Sequence, residues 1–199
     1  MADHKMNHYF SQTEPERSDP KSFRYSFGSY VYTFTTDTGV FSDGKMNPAT
    51  DIFIRNIPPL TGSLLDMGCG CGVLGIVLAK EYNLTLTQAD INPRAVRLTA
   101  DNAAQNGVTS HVLQSDMFAA IDKQFNTIVI NPPIHAGKDV VFAMYDHAKA
   151  HLVTPDGALY IVILKKHGAE SSIKRLNEIF GNCETLYKKK GVHVIKSSL

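Results

Sequence analysis

Residues 131–134 read Asn-Pro-Pro-Ile and directly follow the apolar run Phe125–Ile130. Each proline holds its own φ near about −65° and pushes the residue before it out of the helical region. The sequence therefore predicts a stiff, extended loop that presents a polar amide at the end of a buried strand. The side-chain oxygen of Asn131 and a neighbouring backbone carbonyl can then face one crevice as two acceptors at fixed spacing. Gripping the two hydrogens of an –NH2 group needs that arrangement. Taken alone, the stretch also reads as a Pro-rich loop that only stops a strand.

A second constellation is Leu64-Leu-Asp66-Met-Gly68-Cys-Gly70-Cys-Gly72-Val-Leu-Gly75. It reads as a strand, a tight Gly-rich loop and a helix start, where open α/β sheets bind nucleotides beyond their strand ends. Gly70-x-Gly72-x-x-Gly75 satisfies a dinucleotide fingerprint, which by itself is weak. Asp66 ahead of the glycines discriminates better, because an acid there repels a pyrophosphate and suits a cationic or amino-bearing ligand. Asp90 closes the next strand, where an acid can take both hydroxyls of a ribose. Asp116 follows the third strand, where a carboxylate can accept from an adenine amine while Met117 lies on the ring. One such Asp would be read as a helix cap or turn residue; three at successive strand ends point to a ligand. Cys69 and Cys71 lack the further ligands of a metal set and read as small residues filling the loop. His147 and His151 read as a solvated helix face, so no metal is expected.

These residues need elements to hold them. The sequence predicts a hairpin of Ser22–Phe27 and Tyr30–Thr35 after an irregular arm over 1–21, then a turn-rich loop over 37–50 and a short helix over Asp51–Asn56. From Ser63 onward strands and helices alternate. The strands are Ser63–Met67, Leu84–Ala89, His111–Gln114, Phe125–Ile130 and Ala158–Leu164. The helices are Val73–Tyr82, Pro93–Asn106, Asp139–Leu152 and Ala169–Phe180, and two strands, Glu184–Tyr187 and Val192–Lys196, close the chain. Repeated βα units with continuously apolar strands predict an α/β fold: a doubly wound, mainly parallel seven-stranded sheet, with an N-terminal β-hairpin extension. The expected organisation is an arm, hairpin and capping loop over residues 1–60, packed on a main domain over 61–199.

The 199 residues, 43% hydrophobic and 20% charged, suffice for a full core. The net charge of +1 excludes a globally basic nucleic-acid binder, so any basic surface is local. Three cysteines in no disulfide framework suit a reducing compartment. No signal peptide or membrane-spanning run is expected, and a soluble cytoplasmic protein with no membrane partner is the default reading.

The chain resembles the class I S-adenosylmethionine-dependent methyltransferases, and within them the single-domain relatives of the small-subunit ribosomal RNA guanine-N2 methyltransferases. The resemblance runs through His8-Tyr-Phe-Ser11, Asp37-Thr-Gly-Val-Phe-Ser42, Leu65-Asp-Met-Gly-Cys-Gly70, Asp90-Ile-Asn92, Asn131-Pro-Pro-Ile-His-Ala-Gly-Lys138, Lys165-Lys-His-Gly-Ala169 and Lys188-Lys-Lys-Gly191. It implies S-adenosylmethionine as cofactor. Asp66, Gly68, Gly70 and Gly72 would hold its methionine part, Asp90 and Ile91 its ribose and adenine, and Asp116 and Met117 its adenine. Phe41 and Ser42 would close over it. Catalysis would fall to Asn131 and Pro132, with Pro133 and Ile134 as apolar walls, although many relatives carry Phe at the position of Ile134. His135, Lys138, Lys165 and Lys166 would meet the substrate, a ribosomal RNA or small ribosomal subunit, and Lys188–Lys190 form a further basic cluster. The alternatives from sequence are the same chemistry on adenine N6 or a protein glutamine amide, a nicotinamide-dependent oxidoreductase, and a non-catalytic RNA-binding or assembly module.

Overall fold

The computed structural model describes residues 17–42 and 44–199. The His8–Ser11 segment and most of the expected arm lie outside them. A hairpin of β1 (Lys21–Phe27) and β2 (Tyr30–Thr36) is followed by α1 (Pro48–Asn56), β3 (Ser63–Met67), α2 (Val73–Tyr82), β4 (Thr85–Asp90), α3 (Pro93–Gln105) and β5 (Ser110–Gln114). Then come β6 (Thr127–Ile130), α4 (Lys138–Ala150), β7 (Ala158–Leu164), α5 (Ala169–Phe180), β8 (Glu184–Lys189) and β9 (Val192–Ser198). The main sheet runs β5-β4-β3-β6-β7-β9-β8. β3 pairs in parallel with both β4 and β6, whereas β9 is antiparallel to β7 and β8. This is the doubly wound architecture expected, with its switch point between β3 and β6.

The strand period explains the two cores. Leu64, Val129, Tyr160 and Val194 point to one face, packed with α1, α2 and the hairpin aromatics Tyr25, Tyr32 and Phe34. Leu65, Ile128, Ile130, Ile161 and Ile195 point to the other, against Met144 and Tyr145 of α4 and Leu176 of α5. All four residues of β6 are buried, and each fully buried aliphatic side chain contributes roughly 1.5–3 kcal/mol.

The hairpin is bound in an unusual way. Asn102 on α3 and Asn106 at its C-cap stand one turn apart, and both are buried. Asn102 Oδ1 accepts from Thr35 N at 2.8 Å and its Nδ2 donates to Thr35 O at 2.8 Å; Asn106 repeats this on Thr33 at 3.0 and 2.8 Å. Two side-chain amides thus act as a strand, satisfying backbone groups of β2 that would otherwise be unpaired.

Three local expectations are corrected. α1 starts at Pro48, not Asp51, because Asn47 caps it, accepting from Ala49 N and Thr50 N at 2.9 and 3.2 Å. The strand expected from Phe125 starts at Thr127: Phe125 makes only an isolated bridge to Leu152, and the Asn126 side chain turns back to accept from Ser63 N. The acceptor loop is not extended throughout. Pro133 lies at φ −75°, ψ 75°, an inverse γ-turn in which Ile134 N donates to Pro132 O at 2.9 Å, and Ile134–Ala136 then form a 3-10 turn. A proline restrains the residue before it, and Pro133 is followed by Ile134, so its ψ is left to close the turn.

Candidate functional site

The carboxyl ends of the parallel strands line up the chemistry-bearing residues in one row. The register pairs Asp90 with Gln114 and Met67 with Ile130. Asp116 and Asp90 therefore leave adjacent strands, the Gly loop comes next, and Asn131 directly follows Ile130, whose partner Met67 directly precedes Gly68. Lys165 follows at the end of β7. Open α/β sheets bind ligands at such an edge, at the switch point.

Asp66 lies beneath the loop, 2% exposed. Its Oδ2 accepts from Gly75 N at 2.9 Å and from Gln88 Nε2 at 3.0 Å. Gly72 precedes α2 in the left-handed region with no side-chain cap, so the Asp66 carboxylate serves as the anion at the α2 N-terminus. A Cβ on Gly75 would stand 2.8 Å from Asp66 Oδ2, and only glycine permits this approach. Gly68 has the opposite reason. A Cβ there would meet nothing within 4 Å, while its φ is +74°. The loop backbone is thus open at Gly68, as a ligand resting on it requires.

Asp90 Oδ2 accepts from Gly70 N and its Oδ1 from Asn92 N, both at 2.9 Å, leaving lone pairs on each oxygen. Asp116 is exposed at the next strand end; Met117, half-buried at φ 47°, is held by Ser115 Oγ donating to Met117 O at 2.7 Å. Ile91 is half-buried, its carbonyl accepting from Gln114 Nε2. Opposite them, the loop carrying Phe41 and Ser42 is fastened to α3. Asn92 Nδ2 donates to Gly39 O at 2.8 Å, Arg94 Nη1 donates to Thr38 O at 2.9 Å, and Arg94 pairs with Asp37 at 3.6 Å. Phe41 is 48% exposed beside Gly70. An open loop backbone, an exposed aromatic residue beside it and carboxylates with spare acceptor capacity fit a nucleoside carrying a cationic group.

Burial pushes the carboxyls of Asp66 and Asp90 up to about 6, Asp66 also feeling the charge of Asp90. Burial likewise pushes Cys71 up to about 12 and raises Cys69, so both are inert fillers of the loop. Because the folded carboxyls hold their protons more tightly than the unfolded ones, their contribution to stability is greatest below pH 4 and declines as pH rises through 6. Asn at position 66 can accept the same two bonds without the charge. Without ligand, Asp66→Asn should therefore gain on the wild type between about pH 4 and 6, by on the order of 1–3 kcal/mol, read from thermal unfolding across that range.

Asn131 is half-buried. Its Nδ2 donates to Thr50 Oγ1 of α1 at 3.4 Å, across 81 positions of sequence. This partner is invisible in the sequence. With Nδ2 occupied on that side, Oδ1 is turned the other way. The Pro132 carbonyl, holding Ile134 N, keeps one lone pair. Ile134 lines a cavity of about 150 Å³ with Lys138, Phe142, Ile163, His167 and Ser171. His135 and His167 face each other edge-on, ring centroids 6.4 Å apart. Burial, with the neighbouring Lys166 and His135, lowers the pKa of His167. Lys165 and Lys166 are exposed. The structure thus brings the acids, the glycines and Asn131 onto one edge, while Asp66 turns inward beneath it.

Sheet order, Gly loop and edge carboxylates together define a class I methyltransferase, whose cofactor is S-adenosylmethionine. Residues 31–196 match the methyltransferase small domain, and the chain belongs to that family. It is 39% identical over 196 residues to the uncharacterized protein YbxB of Bacillus subtilis, covering 96% of this chain and 97% of that one. It is 31% identical over 175 residues to ribosomal RNA small subunit methyltransferase C of Vibrio cholerae, covering 84% of this chain and 50% of that protein. The T. thermophilus 16S rRNA N2 G1207 methyltransferase (RsmC), solved with AdoMet and guanosine, superposes with a TM-score of 0.80 at 27% identity, over 94% of this chain and 53% of that one. The chain thus spans about half the length of the ribosomal RNA methyltransferases it matches. Among the described residues no helix is long and apolar enough to cross a membrane, and no group of three side chains could hold a metal ion.

Proposed function

We propose that the protein transfers a methyl group to the exocyclic N2 amine of a guanine in small-subunit ribosomal RNA, acting in the cytoplasm. The observation that carries this reading is Asn131 at the switch point, at the end of the strand paired with the one that leads into the open Gly68 turn, with its amide nitrogen already occupied by Thr50. S-adenosylmethionine supplies a methyl group made electrophilic by its sulfonium. Asp90 takes the ribose hydroxyls with the spare lone pairs of its oxygens, with Ile91 beside the adenine. Asp116 and Met117 meet the adenine. Gly68, Gly70 and Gly72, shaped from beneath by Asp66, bed the methionine part, and Phe41 and Ser42 cover it.

At the acceptor, Oδ1 of Asn131 and the carbonyl of Pro132 take the two N–H bonds of the amine. This favours a tetrahedral nitrogen whose lone pair faces the methyl carbon, and it stabilises the positive charge that grows on nitrogen, an electrostatic contribution that dominates many reactions. Holding two reactants in line supplies much of the remainder. The methylated ammonium is acidic enough to lose its proton to water, so no strong base is needed. The base must leave its stack to reach the pocket, where Pro133 and Ile134 wall it. His135, Lys138, Lys165 and Lys166 lie where the flanking RNA would pass.

Thr50 sets the orientation of the Asn131 amide. Thr50→Val should lower kcat about five- to tenfold with KM and cofactor affinity unchanged, the worth of one hydrogen bond; Thr50→Ser should restore most of it. Equal turnover by the Val variant would remove Thr50 from the mechanism. The reading as a whole is tested by transfer of labelled methyl groups to small ribosomal subunits, protein-free rRNA and total protein. Label in RNA is expected. Label in protein alone would move the activity to a glutamine amide.

A further inference from the structure

We propose that the groove between the end of β7 and the β8–β9 turn, rimmed by Lys165, Lys166 and Lys190, binds the RNA backbone flanking the methylated nucleotide. This rests on the reading of the protein as an RNA methyltransferase. β9 runs antiparallel to β7, with Leu164 opposite Val192 and Lys189 of β8 opposite the same residue. The turn therefore lies on the same edge of the sheet as Asn131. Lys165 N donates to Gly191 O at 2.7 Å, tying the two segments together. Between them is an open groove of about 640 Å³ lined by Leu164, Lys165, Lys166, Lys190 and Gly191.

No carboxylate lines this groove, and none of its three lysines makes an ion pair among the described residues. The positive field reaches the neighbours. His193, 3% exposed on β9, has its pKa lowered first by burial and then by Lys188 and Lys165, against an opposing influence of Glu170.

Charge along the edge sets the direction of the RNA. On one side of Asn131 stand Asp90 and Asp116, which repel phosphates; on the other stand the lysines. A polyanion whose one base sits at Asn131 is steered over β7 and β9, not over β4 and β5. From β6 to β8 there are three strand spacings, about 14 Å, a reach of a few nucleotides of backbone. Lysines suit this task because they are point charges on flexible stems, holding a backbone without selecting a base.

The test is equilibrium binding of protein-free small-subunit rRNA over a range of salt concentrations. The proteins are the wild type, Lys190→Ala, and the triple variant Lys165→Ala/Lys166→Ala/Lys190→Ala. Lys123→Ala, in the loop entering β6 at the opposite end of the sheet, is the control. Each groove lysine on a phosphate should contribute about 0.7–0.9 to the slope of log K against log salt. The triple variant should lose roughly 2–3 in slope and Lys190→Ala about 1, with Lys123→Ala like the wild type. A triple variant with the wild-type slope would overturn the proposal. So would weakened binding to assembled subunits with unchanged binding to protein-free RNA, which would seat a ribosomal protein in the groove. Methyl transfer by the same preparations separates the two readings: a changed slope without any transfer to RNA supports the groove and overturns the assigned reaction.

Discussion

Asn131→Ala should bind S-adenosylmethionine as the wild type does and lose about 10²–10³-fold in kcat, the cost of removing one preorganised group that meets charge developing in a transition state. Among the described residues its side chain makes no hydrogen bond to the Gly loop, and its one side-chain hydrogen bond is the 3.4 Å contact to Thr50. Half-buried at a strand end, it can be truncated without leaving a core cavity, so thermal unfolding should move little. Calorimetric cofactor titration beside single-turnover methyl transfer makes the comparison. A variant that retains turnover would remove the amide grip from the mechanism; one that loses the cofactor would make Asn131 a structural residue.

Asp90→Ala should do the reverse. Two backbone amides, of Gly70 and Asn92, lose their acceptor, and on the proposed reading the ribose hydroxyls lose theirs. Hydrogen bonds to a charged group are worth about 1.5–3 kcal/mol each, so losing two predicts a fall in cofactor affinity of about 100-fold or more. In the wild type the same group should make affinity depend on pH. The carboxyl is pushed up to about 6 by burial, and protonation removes an acceptor, so affinity should weaken as pH falls through 6, by up to about 10-fold per unit. Affinity that is flat from pH 5 to about 8 would mean that the Asp90 carboxylate does not meet the ligand.

The strands and helices with strong local signals stand where the sequence puts them. Val73–Tyr82 and Ala169–Phe180 are helices with those bounds, and Ser63–Met67 and Ala158–Leu164 are strands with theirs. In each, apolar pattern and turn residues agree with tertiary burial. α1 was legible too, since Asn47-Pro48 is a capping pair, yet the turn-forming residues around it obscure the start. Other features have no local trace. The strand-like pairing of Asn102 and Asn106 with β2, the hold of Thr50 on Asn131 and the turn of Asp66 toward Gly75 and Gln88 depend on distant segments. Three aspartates at strand ends are legible in the sequence as a candidate site, but their different surroundings appear only in three dimensions. Asp66 is enclosed beneath the loop, Asp90 is buried and holds the Gly70 and Asn92 amides, and Asp116 is exposed.

The most direct test of the central claim is the identity of the methylated nucleoside. Small-subunit rRNA treated with the enzyme and labelled S-adenosylmethionine, then digested and separated, should release the label as N2-methylguanosine. Label in N6-methyladenosine, or on a ring carbon or ribose oxygen, would contradict the assignment of a guanine amine to the Asn131 turn.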